Sequence, residues 1–447
     1  VLARPDELAV ERPAERGRAL PRGARDLLPA ETRRRRAVVE RLLHHLDGWG
    51  YAPIQTPAVE FFDVFARGLS GEDRRRCVRF IDPGSGEVMA LRSDVTPQVA
   101  RLVGGRLGGV LDADRVRRLA YVADLVVQPD GPVGRSELHQ VGVELVGDGS
   151  IAADAELIAL AHASLAALGL SQVRLDLSHA GFARAVLGLV EDHPRVGPEV
   201  LGAVTQALAH KDAGTVVAAL RGAGVDRALA DGVAALCDLY GPPDVIARAR
   251  AVLPAEAAAS LDRLDALVGA LRELDPAAAQ ALFVDLGQIR GTTYYTGYRL
   301  RAWAPGATEP VARGGRYNDL LGRYGSPRPA TGFAIDLDAL DDALLAAGVE
   351  VEGSRPNPGH LIVVPAGADG GTRLRAAHVA AAARGTGHRA WVEVGLDEAR
   401  AQQVAAAEGC ERLTWFDGAG AVQRLHLRDA AWIAITSGHS PDPTEQA

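Results

Sequence analysis

Apolar positions recur at helical spacing from Glu31 to Trp49: Val38, Val39, Leu42, Leu43, Leu46 and Trp49. Gly48 and Gly50 end the run. YAPIQTPAVE (51–60) predicts an extended segment, and Pro53 and Pro57, each lacking a ladder donor, confine it to a sheet edge or an interface. EVMALRSD (87–94) reads as a strand ending at an acid. Thr96 is placed to cap the next helix and Pro97 to open it. LAYVADLVVQ (119–128) and ELHQVGVELVG (137–147) predict two strands joined by the turn-rich PDGPVGR. A helix follows over 151–172, then a strand in VRLDLSHA. From about 181 to 280 the pattern is almost wholly helical and Ala/Leu-rich, broken at GPPD (241–244), which predicts a helical insertion. VDLGQIRGTTYYTGYRLRAW (284–303) returns to strands. A Gly314–Tyr317 turn then leads to TGFAIDLDAL (331–340), a buried strand turning into a helix.

Composition then divides the chain. Residues 1–22 are rich in Arg, Glu and Pro without an apolar core, which predicts a disordered extension rather than a signal peptide. Residues 23–350 form the main body. Residues 351–360 (VEGSRPNPGH) read as a linker, and 361–447 as a small α/β module of alternating strands and helices. No apolar run approaches the roughly 20 residues that span a bilayer.

The formal charge is −8, which argues against broad electrostatic binding of nucleic acid, and the Arg33–Arg36 run reads as a solvated helix face. Cys77, Cys237 and Cys410 are far apart and odd in number, so no disulfide framework or zinc spacing follows, as suits a reducing cytosol. The twelve histidines lack metal-ligand spacing, and neither a P-loop nor a Gly-x-Gly-x-x-Gly at a strand-to-helix junction is present. The strand-to-helix junction at 331–340 raises a question. A phosphate there would want a cation, yet the segment carries Asp336 and Asp338, with Asp341 and Asp342 just after.

Strand alternation sets Gln140 and Glu144 on one face with Gly142 between them, room for a small ligand flanked by an amide and a carboxylate. It likewise sets Thr293, Tyr295 and Gly297 on one face. Each residue alone also reads as solvated sheet face, surface charge or core packing. Their joint order resembles one family, the histidyl-tRNA synthetase type of class II synthetase core, over roughly residues 20–345. PIQTPAVE is similar to its first motif, a dimer-interface strand with Pro57 at the motif's proline. LRSDVTPQVAR resembles the segment whose acid and threonine, here Asp94 and Thr96, line the amino-acid site. LHQVGVELVG resembles the histidine-binding strand, IRGTTYYTG the histidine-specific motif, and GGRYNDL with TGFAIDLDAL the third motif. The resemblance implies an α+β fold: a mixed, mostly antiparallel sheet flanked by helices. The C-terminal module looks loosely like a degenerate anticodon-binding domain. It also implies that Asp94, Gln140 and Glu144 hold the α-ammonium of histidine, that Arg290 holds its carboxylate, and that Tyr295 and Tyr317 meet the imidazole.

The nucleotide half departs from the family. Where the second motif has Phe-Arg-x-Glu, an ungapped count puts Val126 at the arginine and Gln128 at the acid. Ala339 stands at the third motif's arginine, and Thr293 replaces an aspartate. Losing one preorganised stabiliser of transition-state charge costs about 10²–10³ in rate. Adenylation is therefore expected to fail unless a cation such as Arg135 reaches in. LRSDVTPQVAR, YYTG and Ala304-Pro305-Gly306 resemble the branch of ATP phosphoribosyltransferase regulatory subunits. That resemblance implies a noncatalytic, cytoplasmic subunit without a cofactor or metal, dimeric within a hetero-oligomer. It would join a short-form catalytic subunit in the first step of histidine biosynthesis and bind histidine as an allosteric feedback effector, with tRNA binding not expected. The competing readings are an active histidyl-tRNA synthetase and an RNA-binding synthetase-like domain.

Overall fold

A computed structural model describes residues 20–107, 115–129, 134–253, 261–288, 294–354, 356–416, 422–428 and 431–434. Most of the expected N-terminal extension, Arg290 and Thr293 lie outside the described residues. Two compact units are present: residues 35–351 with the segment before Leu28, and residues 352–447 with residues 28–34.

The larger unit is built on a nine-stranded sheet. Its strands are β1 (Ala52–Pro53), β5 (Arg117–Val126), β6 (Glu137–Val146), β7 (Arg174–His179), β8 (Tyr240–Gly241), β9 (Leu282–Asp285), β10 (Tyr298–Trp303), β11 (Ala312–Arg316) and β12 (Ala330–Asp336), in the order β1-β5-β6-β12-β11-β10-β7-β9-β8. Pairing is antiparallel except at β1–β5 and β7–β9. The proline-bearing β1 lies at the edge, as its missing donors require. A separate three-stranded sheet, β2 (Val59–Phe61), β3 (Arg79–Ile81) and β4 (Val88–Leu91), has β4 in the middle.

The helices that frame the nine-stranded sheet include α1 (Pro29–Gly48), α2 (Thr96–Gly104), α3 (Ile151–Ala167), α4 (Asp262–Leu274) and α5 (Leu337–Ala346). α3 is apolar nearly all round and correspondingly buried, as such a helix must be. Ser150 caps it, accepting from Ala153 N at 3.1 Å. Val141, Val143 and Leu145 of β6, with Leu300 of β10 and Ile335 of β12, share one core with α3. Val146, Leu119, Tyr121 and Tyr317 belong to a second cluster with Val99 and Val103 of α2. The sheet is therefore covered on one face by α3 and lined on the other by α2. The helical insertion enters between β7 and β9, and its GPPD break follows the two-residue β8.

The smaller unit carries the sheet β14-β13-β15-β16-β17, with β13 (Gly359–Val364), β14 (Arg389–Val394), β15 (Cys410–Phe416), β16 (Val422–Arg428) and β17 (Ala431–Ala434). Helices Gly370–Gly385 and Glu398–Ala407 connect its parallel strands. Among the described residues no helix is long and apolar enough to cross a membrane, and no three His, Cys, Asp or Glu are grouped to hold a metal.

Three local expectations differ from the structure. Gly314–Arg316 lie in β11 rather than a turn, because both neighbouring strands pair with them. β10 begins only at Tyr298, so strand alternation does not govern Tyr295 or Gly297. Thr96 is the first helical residue and not the cap; its hydroxyl is used elsewhere.

Candidate functional site

The site lies on the α2 side of the sheet. Arg92, buried beneath the segment before α2, donates to Asp124 O and Thr56 O, tying β4 to β5. That anchor fixes Asp94, whose Oδ1 accepts from Thr96 N at 2.9 Å. Thr96 Oγ1 then donates to Glu144 Oε1 at 2.9 Å, and Tyr317 Oη donates to Glu144 Oε2. Tyr317 is aimed by its neighbour. Arg316, on the opposite face of β11, is 1% exposed and pairs through Nε with Asp154 Oδ1 of α3 at 2.6 Å. The Tyr294 and Tyr295 ring centroids are 4.6 Å apart, and Tyr294 meets Tyr317 edge-on at 5.9 Å.

Five of the expected residues thus converge: Asp94, Thr96, Glu144, Tyr295 and Tyr317. Gln140 shares the Glu144 face of β6, four register positions away, with no side-chain hydrogen bond among the described residues. Arg290 lies outside the described residues. The open floor expected over Gly142 is not there. Tyr121, its cross-strand partner, lays its ring where a Cβ would stand. Tyr121 and Tyr294 are the site residues that sequence reasoning missed. The β5–β6 register, which puts an aromatic opposite a glycine, carried the signal for the first, and the Tyr294-Tyr295 pair for the second.

Electrostatically the pocket is acidic. Burial lifts Asp94 to about 6 against the hydrogen bond from Thr96 N. Burial likewise holds Glu144 well above the usual carboxylate range despite its bond from Thr96. Burial, with these two acids, also raises Tyr121 and Tyr294. Glu144 is buried and Asp94 half-buried, and carboxyls so desolvated favour a cation, which returns each to its charged form.

The β12-to-α5 junction has a different chemistry. Asp336 caps α5, its Oδ1 accepting from Asp338 N and Ala339 N, each at 3.0 Å. Three arginines from distant segments meet the acids. Arg135 donates to Asp336 at 2.6 and 2.9 Å and to Asp338 at 3.0 Å. Arg25 reaches Asp338 at 2.7 Å, and Arg35 bridges Asp338 and Asp341, the latter at 3.0 Å. Arg35 is 8% exposed, which corrects the reading of Arg33–Arg36 as a solvated face. Nor do the acids act as bare repulsive charges. Burial pushes Asp338 up, but the hydrogen bond and charge of Arg35, with the charge of Arg25, outweigh it and hold the carboxyl low. The hydrogen bond to Asp336 is the main cause raising Arg135. Val126 closes β5 and Ala339 is buried in the first turn of α5, so neither position supplies a cation.

A family model for histidyl-tRNA synthetase matches residues 23–340. An ATP phosphoribosyltransferase regulatory subunit from Anaeromyxobacter dehalogenans is 39% identical over 342 residues, covering 76% of this chain and 95% of that protein. One from Moorella thermoacetica is 36% identical over 396 residues, covering 88% and 96%. A Bacillus halodurans structure described as an ATP phosphoribosyltransferase regulatory subunit/histidyl-tRNA synthetase shares the fold with a TM-score of 0.73 at 24% identity, covering 89% of this chain and 97% of that one. The chain therefore belongs to the family of ATP phosphoribosyltransferase regulatory subunits, built on the histidyl-tRNA synthetase fold.

Proposed function

We propose that this chain is a noncatalytic regulatory subunit that binds free histidine and passes its level to a short-form catalytic subunit of ATP phosphoribosyltransferase, in the first step of histidine biosynthesis. One observation carries the reading: the acidic pocket is intact while the helix terminus beside it is filled by its own carboxylates. Histidine's α-ammonium offers three donors to Asp94, Gln140 and Glu144. Tyr295 and Tyr317 meet the imidazole, and Arg290 takes the carboxylate. At α5, Asp336 supplies the negative charge that the helix N-terminus favours. A triphosphate would have to draw Arg135 away from Asp336. Asp336, almost wholly buried, would then be left without its cation, a loss that the new contact to phosphate must offset. The subunit is cytoplasmic, needs no cofactor, dimerises within a hetero-oligomer and does not bind tRNA.

Arg135 is the one observation that favours the second reading, an active synthetase, because its guanidinium does reach the junction. The two separate in one assay. Histidine titrated calorimetrically into the complex with the catalytic subunit should bind without ATP, Glu144→Gln should abolish that binding, and histidine-dependent ATP–pyrophosphate exchange should be absent. Robust exchange would favour the synthetase, and no histidine binding would end the regulatory reading. Feedback through this chain also requires reciprocity: substrate bound to the partner must change histidine affinity by the factor by which histidine changes substrate affinity.

A further inference from the structure

Tyr295 sits on irregular backbone. Residues 294–297 precede β10, so no strand ladder fixes the ring that the histidine reading sets against the imidazole. Backbone groups withdrawn from solvent need partners all the same, and here they come from two places. Three successive carbonyls accept from one helix, Ala180–Glu191, the first of the helical insertion. Arg184 donates through Nη1 to Tyr295 O at 3.1 Å and through Nη2 to Thr296 O at 3.4 Å, and Ala180 N donates to Gly297 O at 2.8 Å. His179 caps that helix, its Nδ1 accepting from Phe182 N at 3.1 Å. The N–H groups of Thr296 and Gly297 both go to Arg316 O, at 2.7 and 3.3 Å, and Asn318 N donates to Thr296 Oγ1 at 2.9 Å. The segments that carry Tyr295 and Tyr317 are therefore one hydrogen-bonded block.

The other end of the insertion meets the same block. Asp154 of α3, 2% exposed, gives one oxygen to each of two arginines: Oδ1 to Arg316 Nε at 2.6 Å, and Oδ2 to Arg263 Nη2 of α4 at 3.0 Å. The two guanidinium groups also take neighbouring carbonyls, Arg316 Nη1 that of Asp148 and Arg263 Nη2 that of Gly149, each at 2.8 Å. A carboxylate engaged at both oxygens cannot turn without breaking one of its charged hydrogen bonds, so Arg263 fixes the plane in which Arg316 docks. Arg316 in turn sets Tyr317, whose hydroxyl donates to Glu144. Arg184 is exposed and Arg263 half-buried, and surface side chains of this kind usually contribute little to stability. We propose that Arg184 and Arg263 are positioning residues: from the two ends of the helical insertion they fix the segments that carry Tyr295 and Tyr317, and thereby set the affinity of the amino-acid pocket. The proposal deepens the histidine reading and rests on it.

The test uses the full chain and three measurements: histidine affinity by calorimetry, urea unfolding, and the near-ultraviolet circular dichroism of the unliganded chain, which reports tyrosine packing. Arg184→Ala should leave the urea midpoint unchanged, weaken histidine binding at least fivefold and reduce the tyrosine band; Arg184→Lys should recover part of both losses. Arg263→Gln should weaken binding several-fold in the parent but less than twofold in a Tyr317→Phe background, because it acts through that hydroxyl. A purely structural role would instead lower the midpoint and leave the two substitutions additive. Additive losses would overturn the proposal, as would Arg184→Ala with the parent's tyrosine band and histidine affinity. Absence of histidine binding by the parent would end the histidine reading instead, and the tyrosine band of Arg184→Ala would still decide whether the insertion positions the ring.

Discussion

Glu144 shows how the site works at the scale of one residue. Its two oxygens carry the hydroxyls of Thr96 and Tyr317, and no Lys or Arg bonds to it among the described residues. Asp94, near 6, and Glu144, higher than usual, both hold protons more tightly folded than unfolded. The sign follows. For Asp94 the folded chain is stabilised below pH 4 and loses that contribution as pH rises from about 4 to 6, with Glu144 extending the loss upward. A bound ammonium reverses it by favouring the ionised acids. Histidine affinity should therefore rise between pH 5 and 7.5, and binding near pH 6 should release protons. Calorimetry in two buffers of different ionisation enthalpy measures that release. Asp94→Asn should reduce it, which separates the site's proton from the imidazole's own. Gly332→Ala is a second residue-scale change. Its Cβ would overlap Glu144 Oε2 and the Val143 carbonyl, so it should cost about 1–3 kcal/mol in urea unfolding and weaken histidine binding at least tenfold.

At the scale of elements, the start of α5 is held by a network rather than by its own sequence. Asp336 caps the helix, and three arginines neutralise the first turn. Arg25 and Arg135 still reach Asp338 when Arg35 is removed, so Arg35→Ala should cost the larger unit about 1.5–3 kcal/mol, the worth of charged hydrogen bonds lost from Asp338 and Asp341, read as a lower urea midpoint at unchanged slope. The acids at this junction were legible in the sequence; their partners were not. Arg25, Arg35 and Arg135 lie 313, 303 and 203 residues from Asp338, and no local pattern encodes such pairings. β5 was legible from partial alternation, and β6 and β12 from short apolar runs, since β12 and the second half of β6 are buried on both faces. Periodicity misjudged Tyr295, which precedes its strand, and Gly142, whose space belongs to the Tyr121 ring.

At the scale of the whole molecule, the residues proposed to bind histidine lie in the larger unit, which also contains nearly all of the family match at 23–340. A chain ending at Val351 should then bind histidine within about threefold of the full chain, about 0.7 kcal/mol or less, as calorimetry would show. A larger loss would mean that residues 352–447 contribute to the pocket. From the order of residues alone came the strand and helix segments, by local period, and, through the resemblance to a known family, the class of fold, the expected acids and tyrosines of an amino-acid pocket and the absence of arginine at Val126 and Ala339. Only the tertiary structure decided that Tyr121 closes the floor and that three remote arginines seal α5. Those outcomes depend on strand register and on contacts between distant segments, which the order of residues specifies only once the chain has folded.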